Sequence, residues 1–327
     1  GITLTASADA TAANCYYGQL TMTGGTINST CTANADGTRN AYGIVLEGSY
    51  TASMGTGVAT DGSHANKAAA TGTIENATIN VSTLGRYAYG VLANGSYQSK
   101  TNHYDVIQIK NTKIDVTSQY YYTYGVYANC DINTTNGGIY AANIELTNCD
   151  VTATTTKYHT AYCVYANAKS ATVFKDVQPN YYGEYAVGAK VTINSGNYEA
   201  TAGTTNAYAV ASATRARTIY DSETSVYADR KLGGNAVAYP ELIIHGGTFV
   251  GHALGVNSDR HARAVSSGGN TTIDGGTFRA VSEGRFARCI YGVAGKLNVT
   301  NATIDATANG RYAATNMASE ATGVYGD

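Results

Sequence analysis

The sequence of 327 residues contains no tryptophan, only 2 prolines and only 13% charged residues. The scarcity of proline excludes a collagen-like chain, which needs a strict glycine period with abundant proline. A disordered chain would carry more charge and fewer aromatic residues than the 28 tyrosines found here. No apolar run approaches the ~18 residues of a membrane-spanning helix, and a net charge of −2 argues against nucleic acid as a partner. A β-rich chain remains, with Thr, Tyr and Val for strands and Asn and Gly for turns.

The 6 cysteines include no Cys-x-x-Cys pair, which argues against a structural zinc site or a thioredoxin-like motif. We therefore expect no metal and no cofactor. Cys15 and Cys31 flank one short stretch and are the one pair that we predict to form a disulfide. The chain begins at Gly1 without a charged segment and apolar core, as expected after removal of a signal peptide. These features predict a secreted protein, extracellular or at the cell surface.

An internal repeat predicts the fold. Each unit has a short strand with alternating apolar and polar residues, a corner, and a second strand with the same alternation. The units are LTMTGGTIN (20–28), GTIENATINV (72–81), IQIKNTKIDV (107–116), IELTNCDVTA (144–153), VTINSGNYEA (191–200), LIIHGGTFVG (242–251), TTIDGGTFRA (271–280) and LNVTNATIDA (297–306). A third strand, such as AYGIV (41–45) or AYGVL (88–92), follows most of them.

The corner and the repeat length indicate a solenoid. Gly and Asn tolerate a left-handed backbone, so their recurrence predicts a positive φ at the first corner residue and allows Asn side chains to hydrogen-bond from coil to coil. These corner residues are Gly24, Asn76, Asn111, Asn148, Ser195, Gly246, Gly275 and Asn301. The shortest intervals, 29 residues from Phe249 to Phe278 and 26 from Phe278 to Ile304, fit one coil of three short strands.

We therefore predict an all-β, single-domain parallel β-helix of about eight coils over residues 20–327, with residues 1–19 as an N-terminal strand or cap segment. The interval from the third strand to the next coil varies from 13 residues (Val265 to Phe278) to 39 (Val210 to Phe249), so long insertions leave from one corner. They mark either a working face or tolerated surface loops.

The GGT[IF] corners at 24–27, 246–249 and 275–278, with the recurrent AYGV or AYAV strand, resemble the right-handed parallel β-helix of the pectin-lyase-like superfamily. They are more similar to the Gly-Gly-Thr-rich, adhesin-like surface proteins of bacteria and archaea than to the enzymes of that superfamily. The resemblance covers about residues 20–317 and implies the fold. It leaves the function open, because solenoids serve as lyases, adhesins, spikes and filament subunits.

The third strand places one residue after its first alanine on the outer face of the coil. This residue is a tyrosine in five units, and Arg263 and Arg288 take its place later, which favours an outward orientation because an unpaired buried arginine is costly. The predicted exposed strip, either a glycan or docking surface or a purely structural stack, consists of Tyr42, Tyr89, Tyr124, Tyr162 and Tyr208.

Three functions fit these observations. The first is a non-catalytic, adhesin-like structural solenoid that stacks head to tail into a homopolymer. The second is a surface module that binds glycans or a host surface through the tyrosines. The third, a polysaccharide lyase or hydrolase, is the least favoured because the acids are scattered, and we expect no enzyme. For the first, the predicted subunit contacts are Ile2, Leu4, Leu297, Val299, Val324 and Tyr325.

Overall fold

The computed structural model describes residues 1–16, 19–32, 39–47, 71–94, 96–97, 106–132, 139–173, 183–213, 219–221, 226–228, 239–256, 260–310 and 319–326. Within these ranges the chain contains no helix, and hence none that could cross a membrane. It forms a right-handed parallel β-helix, in which three parallel sheets surround one core. The predicted fold class is confirmed.

The chain visits the three sheets in turn, so that each complete coil contributes one strand to each sheet. Sheet A contains β1 (Ile2–Ala6), β4 (Thr26–Cys31), β7 (Thr78–Thr83), β11 (Lys113–Ser118), β16 (Cys149–Thr155), β21 (Gly196–Ala202), β26 (Thr248–Ala253), β29 (Gly276–Ser282) and β32 (Ala302–Ala308). Sheet B contains β2 (Ala10–Tyr16), β5 (Ala41–Glu47), β8 (Ala88–Ala93), β12 (Thr123–Ala128), β17 (Ala161–Ala166), β22 (Ala207–Ser212), β27 (His261–Ser267), β30 (Phe286–Gly292) and β33 (Glu320–Gly326). Sheet C contains β3 (Gln19–Thr23), β6 (Thr71–Glu75), β10 (Val106–Lys110), β15 (Asn143–Thr147), β20 (Lys190–Ile193), β25 (Glu241–Ile244), β28 (Asn270–Ile273) and β31 (Leu297–Val299).

Residues 1–16, most of the predicted N-terminal segment, form the first two strands of this stack. Ile2 of β1 pairs with Ile27, and Ala10 of β2 pairs with Ala41. Both strands therefore lie within the same sheets as the later coils, at the outer edge of sheets A and B. The sequence did not reveal this first coil as a repeat because it has no corner motif.

The core is a set of in-register columns of apolar side chains, because equivalent residues of successive coils lie opposite one another. On sheet A, Ile27, Ile79 and Ile114 form one such column and are at most 2% exposed. The column continues through Tyr198, Phe249 and Phe278, whose rings stack at 5.0 and 4.9 Å. Burial of these columns, at about 25 cal/mol per Å² of apolar surface, stabilises the stack.

The third strand of each coil bends so that two consecutive residues face the core. In β8 these two residues are Gly90, which occupies the bend, and Val91, which is fully buried like Ala88. A Cβ atom on Gly90 would lie 2.5 Å from both the Gly125 carbonyl oxygen and Ile114 Cγ2. Glycine is therefore required here by close approach of the backbone of the next coil.

The backbone at the corner between sheets C and A is left-handed, but the residue that has the positive φ differs among the coils. The first corner residue has a positive φ in five coils: Gly24 (75°), Asn76 (54°), Asn111 (47°), Asn148 (52°) and Asn301 (52°). For Ser195, Gly246 and Gly275 the prediction is wrong, because there the positive φ belongs to the following glycine. These glycines are Gly196 (127°), Gly247 (122°) and Gly276 (116°).

Coil-to-coil asparagine bonding occurs as expected at this corner and, in addition, at a second one. Asn148 Nδ2 donates to Asn111 Oδ1 at 2.9 Å. At the corner after sheet B, Asn167 Nδ2 donates to Asn129 Oδ1 at 2.8 Å, and Asn129 Nδ2 donates to Asn94 Oδ1 at 3.1 Å. This second ladder was missed, although an Ala-Asn pair closes the third strand in these three coils.

The long insertions leave from one corner, as predicted, between a strand of sheet B and the next strand of sheet C. Their described parts form small antiparallel sheets: β9 (Ser96–Tyr97) with β13 (Cys130–Ile132) and β14 (Ile139–Ala141), β18 (Ala168–Val173) with β19 (Gly183–Gly188), and β23 (Ile219–Asp221) with β24 (Val226–Ala228). Most of the charged residues between 213 and 240 lie outside the described residues.

The predicted disulfide is not present in the structure, in which all six cysteines are thiols rather than disulfides. Cys31 lies on the inner face of β4, where its Sγ is 3.1 Å from the Ala8 carbonyl oxygen. Cys15 belongs to a different sheet and lies opposite Leu46. Burial raises the pKa of the Cys149 thiol to about 11 and that of Cys289 to about 12, so both are neutral near pH 7.

Candidate functional site

The tyrosine strip forms a continuous stack on the outer face of sheet B. Its five members, one from each of five successive coils, are Tyr42, Tyr89, Tyr124, Tyr162 and Tyr208. Ring centroids lie 5.1 Å apart in the first three steps, with interplanar angles of 2°, 9° and 4°. The last step is edge-on, at 5.5 Å and 66°. Each such contact contributes about 0.5–1.5 kcal/mol beyond the burial of area.

The strip is not the exposed surface that the sequence predicted. Tyr124 and Tyr208 are 9% exposed, and the other three are half-buried. Neighbouring rings cover them: Tyr127 packs edge-on against Tyr124 at 4.8 Å, and Tyr165 packs against Tyr162 at 5.0 Å. Burial raises the pKa of the Tyr89, Tyr124 and Tyr162 phenols well above 10. Because the rings cover one another, the strip offers little ring face to a sugar.

Arg263 extends the stack beyond Tyr208 and is also buried. It is 8% exposed, and its guanidinium carbon lies 4.9 Å from the Tyr208 ring centroid and 3.9 Å from that of Tyr291. Its Nη1 donates to Ser266 Oγ at 2.9 Å. The predicted outward orientation is correct, but cation–π contact takes the place of hydration. Burial lowers the pKa of this guanidinium.

The outer edges of β1, β2 and β3 form one end of the stack, called here the N-terminal face. Ile2 is 47% exposed and Leu4 half-buried, whereas Ile27, the next residue in the column of Ile2, is 2% exposed. Leu20 and Met22 of β3 are half-buried in the same way. Four inward-facing apolar side chains are thus only partly covered at this face.

The outer edges of β31, β32 and β33 form the opposite end, called here the C-terminal face. Val324 is 49% exposed, and Leu297, Val299 and Ile304 are half-buried, although all four continue core columns. Tyr325 faces outward and stacks on Tyr291 at 5.2 Å. The six predicted contact residues therefore lie at the two end faces. Leu20, Met22 and Ile304, which the same inward register identifies, were not predicted from the sequence as contact residues.

Acidic side chains occur in separate exposed ion pairs between successive coils. Examples are Lys190–Glu241 (3.1 Å) and Arg279–Asp305 (3.3 Å), and His245 Nδ1 lies 2.9 Å from an Asp274 carboxylate oxygen in the same way. Each contributes at most about 1 kcal/mol. Among the residues that the structure describes, no group of three or more His, Cys, Asp or Glu is placed to hold a metal ion.

Comparison with known protein families, curated proteins and solved structures finds no match for this chain.

Proposed function

We propose that this chain is a non-catalytic structural β-solenoid that stacks head to tail with copies of itself into an extracellular, adhesin-like filament. The observation that carries the proposal concerns the two end faces. Their apolar side chains are only partly covered, and the same columns of side chains reach both faces. The resemblance to adhesin-like members of the pectin-lyase-like superfamily, and a location outside the cell or at its surface, belong to the same proposal.

The end faces leave apolar columns open to water. Ile2 and Val324 are about half-exposed, while Ile79 and Val126, at the corresponding positions inside the stack, are fully buried. The outermost strands also present backbone N–H and C=O groups along their outer edges, which pair readily with another strand. No capping helix covers either face in the described ranges. Pairing with another sheet edge would therefore bury these apolar side chains and satisfy these backbone groups at each face.

The register of the two faces matches. The column that starts at Ile2 ends at Ile304, and the column of Leu4 ends at Ala306. On sheet B the column of Ala13 ends at Val324. A second copy placed with β1 on β32 and β2 on β33 continues each column with apolar residues. The contact is heterologous and leaves both outer faces open, so it propagates into a filament.

The alternatives fit the geometry less well. Glycan binding through the tyrosine strip needs open ring faces, and these rings are stacked and half-buried or buried. A lyase or hydrolase needs carboxylates brought together, and the acids above are distributed in separate pairs.

Electron microscopy and sedimentation velocity over a range of concentrations test the proposal. We expect filaments with an axial repeat of about 43 Å, which is nine coils at ~4.8 Å each. Leu4→Lys and Val324→Lys should abolish assembly, because each places a charge in the joint. Thr5→Lys, on the outer face of the same strand as Leu4, is the matched control and should still assemble.

Thermal unfolding and circular dichroism establish that each variant is folded. Isolated rods at every concentration, or equal assembly of Leu4→Lys and Thr5→Lys, would contradict head-to-tail stacking.

A further inference from the structure

The corner between sheets A and B carries a cluster of aromatic side chains in three successive coils. These corners are residues 84–87, 119–122 and 156–160, which lie between β7 and β8, β11 and β12, and β16 and β17. The cluster, called here the corner patch, consists of Tyr87, Tyr120, Tyr121, Tyr122, Tyr158 and His159. Its strands are the third to fifth in the order of sheets A and B, so the patch lies away from both end faces.

Contacts between the coils hold these rings in place. Tyr121 stacks on His159 with the ring centroids 4.4 Å apart, and Tyr87 stacks on Tyr122 at 5.9 Å. Thr205 Oγ1 of the next coil donates a hydrogen bond to the His159 carbonyl oxygen. Because the patch is already ordered in the free chain, a ligand loses little free energy in ordering it.

Tyr158 presents the open ring of the patch. It is 57% exposed, and its ring centroid lies 6.0 Å from that of Tyr120, at an interplanar angle of 30°. Among the described residues, no second ring packs against it. One face of this ring is therefore available to a ligand, in contrast to the rings of the tyrosine strip.

Two cations lie beside the rings. The Arg86 guanidinium carbon lies 4.7 Å from the Tyr87 ring centroid and 5.7 Å from that of Tyr121. Lys157 Nζ lies 4.7 Å from the Tyr120 ring centroid and donates to Tyr120 Oη at 3.0 Å. Both cationic residues are exposed, and the three corners contain no Asp or Glu. The patch therefore carries positive charge that no carboxylate of these corners neutralises.

A groove on the outer face of sheet A adjoins the patch. It has a volume of about 370 Å³, which is within the range of small-ligand sites. Gln119 and Thr156 line the groove and directly precede Tyr120 and Lys157 along the chain, so that the groove and the patch are continuous. Threonine hydroxyls and the Gln119 amide supply hydrogen-bond donors and acceptors, and the exposed side chain of Leu84 supplies apolar surface.

These groups match the chemistry of an acidic sugar. An aromatic ring packs against the apolar C–H face of a sugar, hydroxyls and amides bond to its hydroxyl groups, and arginine and lysine bind carboxylate or sulfate. We infer that the corner patch and its groove bind an anionic polysaccharide, with Tyr158 against a sugar ring and Arg86 and Lys157 on its acidic groups. The ligand is a separate polysaccharide chain and not a segment of this protein.

A single-stranded nucleic acid also combines stacking rings with negative charge. The net charge of −2 disfavours it, because a protein that follows a phosphate backbone needs an excess of cations. Nucleic acid therefore enters the test as a competing ligand.

Three forms of one polysaccharide test the requirement for charge. Dextran sulfate, carboxymethyl dextran and unmodified dextran share a glucan backbone and differ in the acidic group. By isothermal titration calorimetry on the full chain, we expect saturable binding of an acidic form and roughly tenfold weaker binding, or none, of unmodified dextran. The acidic form that binds more tightly identifies the acidic group. Equal binding of all three forms, or tighter binding of oligo(dT), would overturn the inference.

Two pairs of variants locate the binding. Tyr158→Ala and Lys157→Gln should each weaken binding of the preferred acidic dextran roughly tenfold. Tyr239→Ala and Lys296→Gln, which remove an exposed tyrosine and an exposed lysine elsewhere, are the matched controls and should leave it unchanged. Thermal unfolding establishes that all four variants are folded. If either patch variant binds as tightly as its control, the inference is wrong.

The measurement does not depend on the filament, because the patch lies in the middle coils. Isolated rods that bind acidic dextran would contradict head-to-tail stacking alone. Filaments that do not bind it would contradict this inference alone.

Discussion

At the scale of single residues, the corner shows what the sequence predicts and where it stops. Asn76, Asn111, Asn148 and Asn301 adopt φ values near 50°, which asparagine tolerates. In three other coils the positive φ lies on the following glycine, at 116° to 127°, a range that is open to glycine. Gly24 keeps a positive φ although a glycine follows it, so the composition of the corner predicts a left-handed backbone but not which residue carries the positive φ.

The bend in the third strand gives a prediction at the same scale. We expect Gly90→Ala to destabilise the chain by about 1–3 kcal/mol, because its Cβ would overlap the Gly125 carbonyl oxygen and Ile114 Cγ2. Gly323 holds the corresponding position in the last coil, where a Cβ would meet only Ile304 Cγ2, at 3.5 Å. Gly323→Ala should therefore be neutral or stabilising by up to about 1 kcal/mol. Urea unfolding of both variants checks the difference, and equal losses would contradict the close-approach argument.

At the scale of the strand, the tyrosine strip was predicted in position but not in burial. The alternation within one strand places Tyr124 outward, and the bend at Gly125 turns Tyr127 to the same side. A strict period of two would have put these two residues on opposite faces. The burial therefore depends on contacts between strands and on a local irregularity, neither of which a single strand pattern contains.

The strip predicts a large difference between two tyrosine substitutions. Tyr124→Ala should cost about 3 kcal/mol, because Tyr124 is 9% exposed and stacks on Tyr89 and Tyr162. Tyr158→Ala should cost less than about 0.5 kcal/mol, because Tyr158 is 57% exposed. Thermal unfolding of the two variants measures this difference. A cost for Tyr124→Ala as small as that for Tyr158→Ala would mean that the stack contributes no stability.

At the scale of the whole molecule, burial of many phenols links stability to alkaline pH. Burial raises the pKa of Tyr89, Tyr124, Tyr162 and Tyr208, so the folded chain holds these protons more tightly than the unfolded chain does. The stability that this provides is complete below the unfolded pKa of about 10 and is lost as the pH rises above it.

We therefore expect the unfolding temperature to be nearly constant up to about pH 9.5 and to fall above about pH 10. Phenolate absorbance from the strip should appear together with the loss of β-sheet circular dichroism. Tyr124→Phe should make the fall shallower, whereas Tyr158→Phe should not change it. Ionisation of the whole strip in a chain that keeps its circular dichroism would show that the rings are accessible to water.

The orientation of the strands also determines how the rod responds to force. Every strand in sheets A, B and C lies across the long axis, so a pull along that axis loads the hydrogen bonds between coils before it stretches the backbone that connects them. An end coil then unwinds and extends: the 26 residues between Phe278 and Ile304 span roughly 90 Å when extended, against ~4.8 Å of axial height in the stack. Coils with long insertions release more chain. Under tension the rod lengthens coil by coil and dissipates mechanical work at each step.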